Sequence, residues 1–152
     1  ALQFEDMPAC GASALLPHDL MKRIVLPIYK EITDAAHQSG KPLIFHTAGM
    51  VAAVHGELIG HCGVDAIHAF DDATLPATEF KQQYGERVTA LGGISVERLR
   101  RSSPPELRAY AQVMIERCFG DRYWALGTAH ILTEHIPVEN YIAILEEGLK
   151  IK

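Results

Sequence analysis

Apolar and polar positions along the chain switch repeatedly between a period of two and a period near 3.6, which predicts alternating strands and helices. Residues 1–7, ALQFEDM, read as a short strand. Residues 18–40 carry Leu20, Ile24, Ile28, Ile32, Ala35 and Ala36 at helical spacing, with Asp19 and Gly40 as start and stop signals. Pro27 falls inside that helix and predicts a kink or a split, because it lacks an N–H and its ring crowds the preceding turn. KPLIFHT (41–47) is the next strand, and VAAVHGELIGHCG (51–63) is a helix ending near Gly63. VDAIHAFD (64–71) predicts a strand, PATEFKQQYG (76–85) a short helix and RVTALGGI (87–94) a strand. Residues 104–120 form a helix opened by two prolines, which a first turn tolerates, with Gly120 past its end. RYWALGTA (122–129) is a strand, and residues 137–151 close the chain as a helix started by Pro137.

This order gives about five βα units and an α/β fold. Leu43–Ile44–Phe45 and Tyr123–Trp124–Ala125–Leu126 are apolar on both faces, which suits a parallel sheet covered by helices. Such a sheet is either open and doubly wound or a piece of a (βα)8 barrel. A complete barrel takes about 250 residues, and the chain has 152, so the barrel reading makes it the C-terminal part of one, with the N-terminal strands absent. Two open sheet edges then predict a homo-oligomer, or a missing N-terminal half that covers them.

The polar residues favour the barrel. Glu5 and Asp6, then His46, then His68 with Asp71 and Asp72, then Gly92 and Gly93, then His130 all fall at or near the C-terminal ends of predicted strands. That edge carries the active site in parallel α/β architectures, because side chains from several strands converge there. His46 ends an apolar strand and is followed by Thr47, Ala48 and Gly49, which leave room for a ligand. His46, His130 and Asp6 are the candidate catalytic residues. His68, Asp71, Gly92 and Gly93 are candidates for substrate binding, although His68 could equally be packed in the core and the glycines could mark only a tight turn. His46, Asp71 and His130 could together ligate a metal. His18, His37, His55, His61 and His135 read as surface residues, Cys62 as a buried small residue, and Tyr84, Trp124 and Tyr141 as packing.

Bulk composition narrows the function classes. The formal charge is -5, and the one basic cluster, Arg98, Arg100 and Arg101, has acidic neighbours and reads as a solvated helix end, so nucleic acid is not expected. No apolar run reaches the roughly 18 residues of a membrane span. Cys10, Cys62 and Cys118 are few and far apart, which predicts the reducing cytoplasm rather than a disulfide framework.

In their order and spacing these segments resemble the uroporphyrinogen decarboxylase superfamily, which contains tetrapyrrole decarboxylases and cobalamin- or corrinoid-linked methyltransferases. EDM with LLPHDLMKRIVLPIYKEITDAAHQSG resembles the family's acidic strand end and long helix. KPLIFHTAG resembles its H-x-C-G strand, GVDAIHAFDD and FKQQYGERVTALGGIS its middle strands, and ALGTAHILTEHIPVENYIAILEEG its closing segment. The resemblance implies a distorted (βα)8 barrel of which this chain supplies the later strands. It implies a decarboxylase that needs no cofactor, with Asp6 holding a pyrrole-type intermediate and His130 binding substrate carboxylates or relaying a proton. The alternative it implies is a zinc methyltransferase, with His46 and His130 holding a metal-bound thiol acceptor and a corrinoid protein as methyl donor. Against the second, Ala48 stands where the motif has its first cysteine. The substrate-holding arginine segment of the decarboxylases is N-terminal and not in this sequence. An inactive fragment that needs its N-terminal half or a second copy is the third reading.

Overall fold

The computed structural model describes residues 1–10, 13–47, 52–72, 75–120 and 123–151. Five strands, β1 (Leu2–Glu5), β4 (Leu43–His46), β5 (Ala66–His68), β6 (Thr89–Leu91) and β7 (Trp124–Ala125), form one parallel sheet in the order β1-β4-β5-β6-β7. A two-residue antiparallel pair, β2 (Ala9–Cys10) and β3 (Ser13–Ala14), follows β1 and has no counterpart in the sequence pattern.

The sheet order repeats the chain order without reversal, so there is no switch point of the doubly wound kind. Right-handed crossovers in such a sheet put every helix on one face, and the burial pattern agrees. The register lines up Phe4, Phe45, Ile67, Ala90 and Trp124 on the helix side, where all but the half-buried Phe4 are buried. The neighbouring row, Glu5, His46, His68, Leu91 and Ala125, points the other way and is half-buried or exposed. That face corresponds to a barrel interior. Of the two expected arrangements, the open doubly wound sheet and the piece of a barrel, the structure has the second: Ile44 is apolar because it faces inward, not because a helix covers it.

Helix α1 (His18–Leu20) runs through a π-helical stretch, Met21–Val25, into α2 (Leu26–Gln38), which has Pro27 in its first turn. The wider winding before Pro27 takes up the missing N–H and the crowding of the ring. The predicted split thus occurs without breaking the helix. Tyr29 of α2 packs its ring 5.0 Å from Phe45 and 5.7 Å from Phe4, fixing the helix on the sheet. Helix α3 (Ala52–Glu57) similarly continues as a π stretch, Leu58–Cys62, and stops at Gly63, whose φ of 74° is left-handed.

Helix α4 (Ala77–Tyr84) brings Phe80 into the core, 4.6 Å from the Phe70 ring. Helices α5 (Val96–Arg101) and α6 (Pro104–Cys118) follow β6, and Ser103 and Glu106 close a capping box on α6. The last helix, α7 (Val138–Gly148), is tied to α6 by Glu147, which is buried and accepts from Arg108, Gln112 and Lys150. These partners hold its carboxyl down to about 2. Asn140 donates to the carbonyls of Leu99 and Ser102, locking α7 to the end of α5.

Candidate active site at the strand ends

The strand register builds the site directly. Glu5 pairs with His46, and His46 pairs with His68, so three polar side chains stand in one row on the inward face. The ladder continues past the strands: Thr47 N donates to His68 O at 2.7 Å, and Asp6 N to His46 O at 3.2 Å. Ile94 and Thr128 form a further parallel bridge beyond β6 and β7, which carries the chain toward His130. Thr128 Oγ1 donates to His130 O at 2.8 Å and pins that turn.

Three imidazoles meet here. The His46 and His68 ring centroids are 4.7 Å apart, with their Nδ1 atoms at 2.5 Å, and the His130 ring stands edge-on to His46 at 6.0 Å. His68 Nε2 donates to the Thr128 carbonyl at 2.9 Å. The His46 side chain is 13% exposed, and its Nε2 lies 3.7 Å from Glu5 Oε1. Burial pushes the His46 pKa down, and His68 and His130 add to that, while Glu5 opposes it. The result is a half-buried imidazole biased toward its neutral form with a carboxylate beside it: a proton acceptor that gains a counter-charge when it is protonated.

Gly92 makes the cluster possible. Its φ is +95°, and a Cβ there would lie 2.9 Å from Thr128 O and 3.1 Å from His68 Cδ2. Gly93, with φ +118°, backs onto Met114 and Ala77 in the helix layer. Both glycines thus serve close internal packing, Gly92 against the His68 ring itself.

The other candidates lie apart from this row. Asp6 is beside it, but its Oδ2 accepts from Tyr29 OH at 2.6 Å and its Oδ1 from Met7 N at 2.7 Å, so α2 holds its carboxylate. Glu5 is the acid in the row. The two-residue period shows it: with Phe4 on the helix face, Glu5 must face inward. Asp71 closes a turn through its carbonyl, which accepts from Leu75 N at 2.9 Å. Asp72 makes an ion pair, taking Arg98 Nε and Nη2 at 2.9 Å each and Tyr110 OH at 2.5 Å, with Arg98 stacked 4.0 Å over the Tyr110 ring. Arg98 is therefore a tertiary link, whereas Arg100 and Arg101 pair locally with Glu97 as expected of a solvated helix end.

Among the described residues no group of three or more His, Cys, Asp or Glu side chains is placed to hold a metal, so Asp71 is not gathered with His46 and His130. Ala48 and Gly49, behind His46, lie outside the described residues. Cys62 is buried as expected, and burial pushes its thiol up to about 11. One surface expectation fails: His55 is 3% exposed, with its ring against Phe80 at 5.2 Å. Among the described residues its Nδ1 has no hydrogen-bond partner, and burial lowers its pKa to about 4.

Residues 1–148 match the family described as Uroporphyrinogen decarboxylase (URO-D). The chain belongs to that family. Among solved structures, a methyltransferase from Methanosarcina mazei superposes with a TM-score of 0.75 at 17% identity, covering 97% of this chain and 41% of its own. The chain thus spans about two-fifths of that neighbour's length. No curated protein matches. The URO-D family match and the sequential parallel sheet together identify the fold as part of a (βα)8 barrel, whose inward face and strand ends are those just described.

Proposed function

We propose that the chain contributes the later strands of a URO-D-family enzyme that acts on a small molecule, a decarboxylase of the tetrapyrrole type being the favoured reading. One observation carries it: His46, His68 and His130 converge with Glu5 at the strand ends of a singly wound parallel sheet. Decarboxylation of a pyrrole acetate needs a proton delivered to the ring. The C–CO2 bond then breaks with its electron pair flowing into the protonated ring, CO2 leaves, a proton takes its place on carbon, and the ring gives back the proton it first received. The ring is its own electron sink, so the protein has to move protons and stabilise charge. In this reading His46 Nε2 exchanges the proton, Glu5 balances the imidazolium, and His130 faces a substrate carboxylate. Asp6, fixed by Tyr29, borders the same mouth.

The alternative is zinc-dependent methyl transfer from a corrinoid protein, since a neutral imidazole with an accessible nitrogen is also a metal ligand. The residues do not fit the motif's zinc set. Ala48 has no ligand atom, Cys62 and Cys118 are buried in the core, and the described residues gather no three donors.

We further propose that the sheet is completed by earlier barrel strands or by a second copy. β1 and β7 are sheet edges, and beside β7 a hollow of about 460 Å³ is lined by Leu126, Tyr141, Ile144, Leu145 and Leu149, with Leu149 83% exposed. A further βα unit would cover this surface. Among the described residues no helix is long and apolar enough to cross a membrane.

The test is CO2 release from a tetrapyrrole polycarboxylate, with metal analysis of protein purified in metal-free buffer. Turnover lost in His46→Ala supports decarboxylation. Stoichiometric zinc that disappears in His46→Ala, with methylation of a thiol and no CO2, would overturn it in favour of methyl transfer.

A further inference from the structure

We infer that His68 is a positioning residue that fixes which nitrogen of His46 carries the proton, so that His46 offers a bare Nε2 to whatever enters the mouth. A carbonyl oxygen only accepts, so the 2.9 Å contact to Thr128 O requires a proton on His68 Nε2. An imidazole that carries its one proton on Nε2 has a lone pair on Nδ1. His46 Nδ1 is 2.5 Å from His68 Nδ1, a separation that two lone pairs facing each other would not tolerate. The proton between them belongs to His46 Nδ1. His46 Nε2 is left without a proton, on the side where Glu5 stands.

Both nitrogens of His68 are used in this chain of contacts, so its ring acts through His46 and not on a ligand. Gly92 supports the arrangement by leaving space for the ring edge. The backbone thereby dictates a tautomer two rings away, as second-layer hydrogen bonds do for histidines elsewhere. The ligand chemistry this selects is a hydrogen-bond donor, such as an N–H, a hydroxyl or a carboxylic acid. The inference does not depend on whether the reaction is decarboxylation.

The experiment is long-range proton–nitrogen correlation on the 15N-histidine-labelled chain, in metal-free buffer at mildly alkaline pH. The expected spectrum has His46 with a protonated Nδ1 and a bare Nε2. His68→Leu removes the acceptor, and His46 should revert toward the Nε2–H form that free imidazole side chains prefer. His68→Asn keeps an oxygen near the old Nδ1 and should restore the wild-type pattern. A wild-type His46 protonated on Nε2 would overturn the inference without any variant having to fold. An unchanged tautomer in a folded His68→Leu would overturn it as well, and so would a folded His68→Asn that behaves like His68→Leu.

Discussion

The two ends of the parallel sheet each hold histidine and acid, and they use them differently. At the N-terminal end, Asp65 Oδ2 accepts from His37 Nε2 at 2.8 Å and from Leu43 N at 2.7 Å. An acid sits between two donors, and one of them is the backbone that starts β4. At the C-terminal end, imidazole faces imidazole, His46 against His68 and edge-on to His130, with the nearest carboxylate 3.7 Å away on an exposed Glu5. The first arrangement satisfies its groups and holds a strand start to a helix end. The second half-buries His46 and crowds it with rings that would repel it if they were protonated together, and burial first, then that crowding, lowers the His46 pKa. In barrels the N-terminal end serves stability and the C-terminal end serves chemistry. Here that division is visible in the choice of partners.

His55 gives the comparison its largest and cleanest control, because it is a histidine that belongs to neither end. Its pKa is about 4 in the folded chain, against 6.5 for an ordinary histidine. Between pH 6.5 and 4 the unfolded chain takes up a proton that the folded chain refuses. Stability is therefore full above this window and falls through it on acidification, by about 1.4 kcal/mol per pH unit and about 3 kcal/mol in all. Denaturant melts across that range should show the loss. His55→Leu should flatten it with little cost at neutral pH, because the orphaned Nδ1 goes with it. An unchanged slope in this variant would contradict the burial argument.

Gly92→Ala should have the next largest effect. It forces a side chain into a left-handed backbone and against Thr128 O and the His68 ring. We expect a loss of about 2–3 kcal/mol in urea melts, with the His46 and His68 ring resonances displaced. A neutral Gly92→Ala would show that the cluster is looser than described. At the other end, Asp65→Ala should cost about 1–2 kcal/mol by stranding Leu43 N, while the His46 and His130 resonances stay where they are. If those resonances moved, the two ends would not be independent. Smallest of all, Arg100→Ala removes an exposed pair with Glu97 and should shift the midpoint by less than about 0.5 kcal/mol.

Much of this was readable in the residues. Strand and helix periods predicted the five parallel strands, and the family resemblance carried over most of the chain. Side-chain periodicity places the residues that lie elsewhere than expected. Glu5, not Asp6, shares the inward row because side chains alternate. His55 stands three, four and seven residues before Leu58, Ile59 and Cys62, all buried, and that spacing marks it as core. His46 and His68 each end an apolar strand, so adjacent strands in register made them neighbours. Other features had no local signal. The Asp72–Arg98–Tyr110 link joins residues up to 38 apart. The Thr128 carbonyl that orients His68 is backbone, and no residue type announces it.

The most direct measurement is titration of a tetrapyrrole polycarboxylate into the 15N-histidine-labelled protein, following all eight imidazoles. The account predicts that His46 and His130 shift first and saturate together, while His37, at the opposite end of the sheet, stays fixed. Saturable shifts confined to His37 and its neighbours, or none at His46 with ligand bound, would contradict it.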